Sequence, residues 1–231
     1  MDADGFEGGV VHGAIERGSI AEALVREAKG WHYGAVAAPH PPPERLVKRP
    51  LIAVYGSSIA QEGDDAWRLA YALGRELVDA GADVMTGGYG GVMAACSKGA
   101  HEAGGRVVGV TVELFEARGP VNPWVTERVH TPDLFARLRH LVEHADGFVV
   151  APGSVGTLTE LFLTWTLVSV RSKADAPLVL LGDHWDEYLA AHRHPALVPH
   201  HLFEFVSTAA TPADAARRVL SPVTVRAGLV K

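Results

Sequence analysis

From Pro50 onward, short apolar runs alternate with longer segments in which apolar positions recur every three or four residues. The runs LIAVYG (51–56), ADVMTG (82–87), RVVGVTV (106–112), GFVVA (147–151), PLVLLG (177–182) and FEFVS (203–207) predict six strands. Near-continuous apolar strands suit a sheet covered on both faces, and their alternation with helical spacing is the signature of βαβ units around a parallel sheet. Ala66, Leu69, Ala70, Leu73 and Leu77 form one helical stripe, and Leu134, Leu138, Leu141 and Ala145 form another. The longest helix is expected from Thr157 to about Ser172. The pattern predicts an α/β fold, doubly wound, with a mainly parallel sheet and helices on both faces. In such a fold the strands lie in the order third, second, first, fourth, fifth, sixth. The ligand crevice then falls between the first and fourth strands, whose carboxyl ends carry Gly56-Ser57-Ser58 and the stretch Pro152 to Thr157.

The N-terminal part breaks this pattern. Residues 1–49 read as an extension, with a capping box Ser19–Glu22 opening a short helix to about Ala28. Five prolines between Pro39 and Pro50 then make an extended connector. Residues 50–222 form the main domain and residues 223–231 a tail. Acidic residues in MDADGFEGG, together with the lack of a long apolar run, point to a cytoplasmic protein that does not engage a membrane.

Charge narrows the partners. A net charge of -6 and a pI near 6.0 leave no basic footprint for a nucleic acid. A small anionic ligand needs only one local positive site. The lone cysteine, Cys96, excludes an internal disulfide and a multi-cysteine zinc cage, and reads as a small buried hydrophobe. The chain has 12 histidines, but His140 and His144 lack an obvious third ligand and the late cluster lies in polar segments, so no metal and no cofactor is expected.

Two glycine-rich turns each open a helix: TGGYGGVM (86–93) and PGSVGT (152–157). Backbone N–H groups and the positive helix end make such turns suitable for phosphate, although glycine also serves tight packing alone. Neither turn matches the P-loop or the dinucleotide fingerprint, which disfavours an ATPase or an NAD enzyme. On the plainest reading Thr157 and Glu160 are a capping box. Taking the Leu134–Ala145 stripe as the core direction, Arg137 lies roughly 60° from its centre and Arg139 roughly 140° away. Arg137 therefore borders the buried face, within reach of an anion, and Arg139 faces solvent. A pyridoxal-phosphate decarboxylase needs a lysine for its Schiff base, and only Lys98 lies in the body of the predicted core, with no supporting pattern beside it.

YGSS (55–58), GGYGGVM (87–93), Arg137 and PGSVGTLTE (152–160) together resemble the Rossmann-like proteins of the LONELY GUY type, often labelled possible lysine decarboxylases. The resemblance covers roughly residues 50–182 and the helix beyond, and implies a Rossmann-like nucleotide-binding domain. It implies a phosphoribohydrolase that splits a nucleoside 5'-monophosphate, such as AMP or a modified nucleotide, into free base and ribose 5-phosphate. It also implies a homodimer. The family motif PGGxGTxxE and its preceding arginine match Glu160 and Arg137 as the catalytic pair. Ser154 stands where the motif has its second glycine, and Leu138 where many members carry lysine. Gly153, Ser154, Val155, Gly156 and Thr157 are then expected at the phosphate. Gly56, Ser57, Ser58, Gly87, Gly88, Gly91 and Met93 are expected elsewhere on the substrate. Related proteins of this fold carry molybdenum cofactor or bind nucleotides without hydrolysing them, which is the alternative.

Overall fold

The computed structural model describes residues 48–173 and 175–222. The Ser19–Glu22 capping box, its short helix and the 223–231 tail lie outside the described residues. Seven strands, β1 (Leu51–Tyr55), β2 (Asp83–Thr86), β3 (Val107–Val112), β4 (Glu127–Thr131), β5 (Gly147–Val150), β6 (Leu178–Leu181) and β7 (Ser207–Ala209), form one sheet in the order β4-β3-β2-β1-β5-β6-β7. Every pairing is parallel, with Ala53 opposite both Met85 and Phe148 in the centre.

Alternating residues of each strand feed two cores, because successive side chains point to opposite faces. Ile52 and Val54 pack with Leu73 and Leu77 of α1 (Asp65–Asp79), Cys96 of α2 (Val92–Glu102) and Val219 of α6 (Pro212–Val219). Ala53 and Tyr55 pack instead with Leu141 of α3 (Leu134–Glu143), Leu161 of α4 (Val155–Ser169) and Trp185 of α5 (His184–Ala191). Cys96 is fully buried, and burial pushes its thiol up to about 12. Among the described residues no helix is long and apolar enough to cross a membrane.

The observed strand order contains the expected one, with two differences. β4 is an added strand on the outer edge of β3. Its sequence ERVHT carries polar side chains and buries only Thr131, so it lacks the apolar run that marks the central strands. The expected strand 203–207 is displaced: His200–Phe205 is a 3-10 turn and only Ser207–Ala209 pairs with β6. Trp165 explains the shift. Its indole N–H donates to the Leu202 carbonyl at 2.8 Å and its ring meets Phe203 edge-on at 5.4 Å, so these residues are held by side-chain packing instead of a ladder. The helix expected to be the longest begins two residues earlier, at Val155, ends at Ser169 and, at 15 residues, only equals α1.

At the sheet centre, β1 and β5 run side by side but their following helices go to opposite faces, so a crevice opens beyond their carboxyl ends. On the far face, α1 and α2 approach closely through glycines. A Cβ on Gly99 would collide with the Tyr71 carbonyl, and one on Gly74 with the Cys96 carbonyl. Gly99→Ala should therefore destabilise the fold by about 1–3 kcal/mol, the usual cost of overpacking, read as a lowered urea midpoint. An unchanged midpoint would contradict this packing.

Candidate functional site

A cavity of about 480 Å³ occupies the crevice. The loop after β1 contributes Gly56, Ser58 and Ile59; the turn before α2 contributes Tyr89, Gly90 and Met93; and the segment after β3 contributes Phe115, Gly119 and Pro120. Arg137 of α3 and Ser154, Gly156, Thr157 and Glu160 at the start of α4 complete the wall.

Arg137 is more deeply placed than helix geometry alone suggested, with its side chain 6% exposed. Its Nε donates to the Val110 carbonyl at 2.9 Å, and its guanidinium carbon lies 5.6 Å from the centre of the Phe115 ring. A Cβ on Gly87 would overlap Nη2, so the guanidinium rests on bare backbone. From this position Nη1 faces Glu160 Oε1 at 3.4 Å. Arg139, by contrast, is exposed.

Glu160 is a largely buried carboxylate, its side chain 13% exposed, and it lines the cavity. Burial pushes its pKa up to about 7, with the positive charge and hydrogen bond of Arg137 pulling in the opposite direction. Behind it, the Tyr55 hydroxyl sits 3.4 Å from that of Thr164. Burial first, and the Glu160 carboxylate second, raise the Tyr55 phenol, so it stays neutral.

One turn before Glu160, α4 begins at the cavity wall. Ser154 is its N-cap, and its hydroxyl makes no capping hydrogen bond. The Leu158 N–H is the first to close back, onto the Ser154 carbonyl at 2.9 Å. That leaves the N–H groups of Val155, Gly156 and Thr157 without an intrahelical acceptor. Thr157 is only 4% exposed and lines the cavity, and its hydroxyl has no hydrogen-bond partner among the described residues. The capping-box reading of Thr157 and Glu160 is thereby corrected: Thr157 lies inside the helix, and Glu160 reaches Arg137. Ser154 has an extended backbone, φ -106° and ψ -158°, so a side chain fits there without strain.

The start of α2 is already occupied by protein. The Val92 N–H donates to the Ser57 carbonyl at 2.7 Å, and a Cβ on Gly91 would strike that same carbonyl. Ser57, Gly87, Gly88 and Gly91 thus lie outside the cavity wall, and Gly153 and Val155 are exposed neighbours of the lining residues Ser154 and Gly156. Gly153 passes over the Thr157 side chain, where a Cβ would collide, and Val155 turns its side chain outward at 77% exposure. Leu138 lines a groove between α3 and α4 with Leu163 and Leu167, away from the cavity. Sequence reasoning missed Ile59, Tyr89, Gly90, Phe115, Gly119 and Pro120. The glycine turn containing Tyr89 and Gly90 offered a signal; the Phe115–Pro120 segment has no motif and joins the site only through the fold. Lys98 is also outside the wall: its ammonium pairs with Glu62 at 3.0 Å and lies over the Trp67 and Trp124 rings.

The model of the family described as "Possible lysine decarboxylase" matches residues 93–219. The chain belongs to that family. Among curated members, a cytokinin riboside 5'-monophosphate phosphoribohydrolase of Mycobacterium tuberculosis is 28% identical over 158 residues, covering 68% of this chain and 73% of that protein. The Arabidopsis thaliana enzyme LOG3 of the same description is 32% identical over 107 residues, covering 45% of this chain and 50% of the relative. The match thus spans about half the length of some relatives. Among solved structures, the molybdenum cofactor binding protein of Rippkaea orientalis superposes with a TM-score of 0.59 at 25% identity, over 74% of this chain and 95% of that one. The family's label does not suit this cavity, since no lysine lines it.

The raised pKa of Glu160 has a signed consequence. The unfolded chain loses this proton near the ordinary value of 4.5 and the folded chain near 7, so between those values the unfolded state binds fewer protons and stability falls as pH rises. Glu160→Gln abolishes this loss. Urea midpoints of the two proteins should diverge in the variant's favour from pH 4.5 to 7 and stay parallel above; a pH-independent difference would contradict the buried ionisation.

Proposed function

We propose that this chain hydrolyses the N-glycosidic bond of a nucleoside 5'-monophosphate, releasing free base and ribose 5-phosphate. The observation that carries the proposal is the buried Glu160–Arg137 pair one helical turn from an uncapped helix N-terminus. Glu160 lies five residues beyond Val155, about 7.5 Å along the axis, a separation suited to a phosphate at the helix end and a ribose at the carboxylate. Relatives named as phosphoribohydrolases support the same reaction.

The phosphate is held by the N–H groups of Val155, Gly156 and Thr157, the hydroxyls of Ser154 and Thr157, and the positive helix end. Glu160 then faces the anomeric carbon. As the carbon–nitrogen bond breaks, its electron pair leaves with the base, positive charge grows on the sugar, and the fixed carboxylate stabilises it. A water oxygen bonds to the anomeric carbon and releases a proton, and the departing base gains one. Arg137 keeps Glu160 oriented and favours its ionised form, while its own bond to Val110 keeps it in place. No metal or cofactor takes part in this scheme, and the cytoplasm, where nucleoside monophosphates are abundant, is the compartment it implies.

Incubation with a panel of nucleoside monophosphates should yield free base and ribose 5-phosphate in equal amounts. Glu160→Gln should lower kcat by roughly 10²–10³ with the fold intact, the usual cost of losing one electrostatic stabiliser. In the native protein kcat/KM should rise with pH through about 7, as Glu160 ionises. Full activity of the variant would refute the role of Glu160. Nucleotide binding without cleavage would instead favour a binding protein, as the Rippkaea orientalis molybdenum cofactor binding protein is named.

A second copy of the chain is the proposed partner. Val155, Phe162 and Val170 of the α4 region are 77%, 41% and 63% exposed, and Phe135 of α3 is 81% exposed. Phe135 lines the α3–α4 groove with Leu138, Val142 and Leu163, and Phe162 lines a neighbouring pocket with Trp165, so α4 carries exposed apolar side chains beside both, the kind of surface an interface covers. Light scattering should give a dimer for the native chain and a monomer for Phe135→Glu; a native monomer would contradict this pairing.

A further inference from the structure

Outside the Arg137–Glu160 pair and the start of α4, the cavity offers few groups that could read a base by hydrogen bonding: its side chains there are Ile59, Tyr89, Met93, Phe115 and Pro120, with the Ser58 hydroxyl. The Tyr89 hydroxyl is already committed: it donates to the Val112 carbonyl at 2.9 Å and accepts from the Val112 N–H at 3.0 Å. Tyr89 therefore presents ring surface. A thioether is a weak acceptor. An aromatic base against these side chains meets mostly apolar surface, so the spacing between the walls decides how well it fits.

Those walls come from different parts of the chain. One is the Tyr89–Gly90 turn before α2; the other is the Gly119–Pro120 segment between β3 and β4. Asn122 joins them. Its backbone N–H donates to the Gly88 carbonyl at 2.9 Å, and its side-chain amide donates to the Tyr89 carbonyl at 3.1 Å and to the Ser97 hydroxyl at 3.4 Å. Its side-chain oxygen accepts from the Trp124 N–H at 3.3 Å. The residue is 8% exposed, so little water competes for these bonds. Trp124 extends the tie: its ring faces the Lys98 ammonium at 5.6 Å, and Lys98 pairs with Glu62 on the loop that carries Ser58 and Ile59.

We propose that Asn122 fixes the width of the base slot and so determines which base the site accepts. It is a positioning residue, acting through the two walls without lining the cavity itself. The inference rests on the nucleotide reading of the site. It assigns base selectivity to a residue on a segment that carries none of the glycine motifs.

The test separates the two ends of the cavity. For native protein and for Asn122→Ala and Asn122→Asp, kcat/KM is measured for AMP and for CMP, together with the inhibition constant of ribose 5-phosphate, which engages only the phosphate and sugar end. Removing the tie should change the AMP-to-CMP ratio by roughly tenfold, through KM, as expected for lost buried hydrogen bonds, while ribose 5-phosphate inhibition stays within about twofold. An unchanged ratio in both variants overturns the proposal. So does a parallel loss for all three ligands, which marks general loosening. Should both variants fail to fold, Lys98→Met releases Trp124 from the surface side and must shift the same ratio in the same sense; an unchanged ratio there overturns the proposal equally. If the native protein binds AMP and ribose 5-phosphate but cleaves nothing, the hydrolase reading fails, while the ratio of dissociation constants by calorimetry still decides the role of Asn122.

Discussion

The site depends on a carboxylate that the fold largely shields from water and an arginine that favours its charged form. Glu160 alone in this wall would hold its proton; Arg137 at 3.4 Å opposes that tendency. Arg137 is itself buried, and a buried guanidinium needs its donors used. The Val110 carbonyl takes Nε, Glu160 takes Nη1, the Phe115 ring covers one face, and Gly87 leaves room below. Each of these contacts comes from a different element, so the pair forms only when the sheet and α3 and α4 are assembled.

The sheet order converts that pair into a binding site. Because β1 and β5 are neighbours whose helices leave on opposite faces, the start of α4 points into open space at the switch point. In the proposed reaction the same helix start serves two purposes: its first N–H groups are left for an anion, and its second turn carries Glu160 toward the sugar. The start of α2 lacks this freedom, since the Ser57 carbonyl occupies its first N–H. Two glycine-rich turns that look alike as sequence are therefore unlike in chemistry.

What the sequence reveals follows from range of interaction. Strands buried on both faces, such as β1 and β5, announce themselves by composition, and Arg137 was legible because helix spacing places it beside the Leu138–Leu141 face. β4 was invisible, since an edge strand of ERVHT has no apolar alternation to detect. The stretch 203–207 looked like a strand by composition, but Phe203 packs on Trp165, which also holds the Leu202 carbonyl 37 residues away in sequence. Glu160 was legible through its motif, but its raised pKa was not, because burial is a property of the assembled wall. Asn122 and Phe115 had no local signal, as they meet Gly88 and Tyr89 of the turn before α2, Ser97 of α2 and Arg137 of α3.

A crystal structure of Glu160→Gln with AMP bound tests the central claim most directly. The phosphate oxygens should lie within about 2.7–3.2 Å of the N–H groups of Val155 to Thr157, with the anomeric carbon facing residue 160 and the base between Tyr89 and Pro120. A phosphate seated at the start of α2, or a base stacked against residue 160, would contradict it.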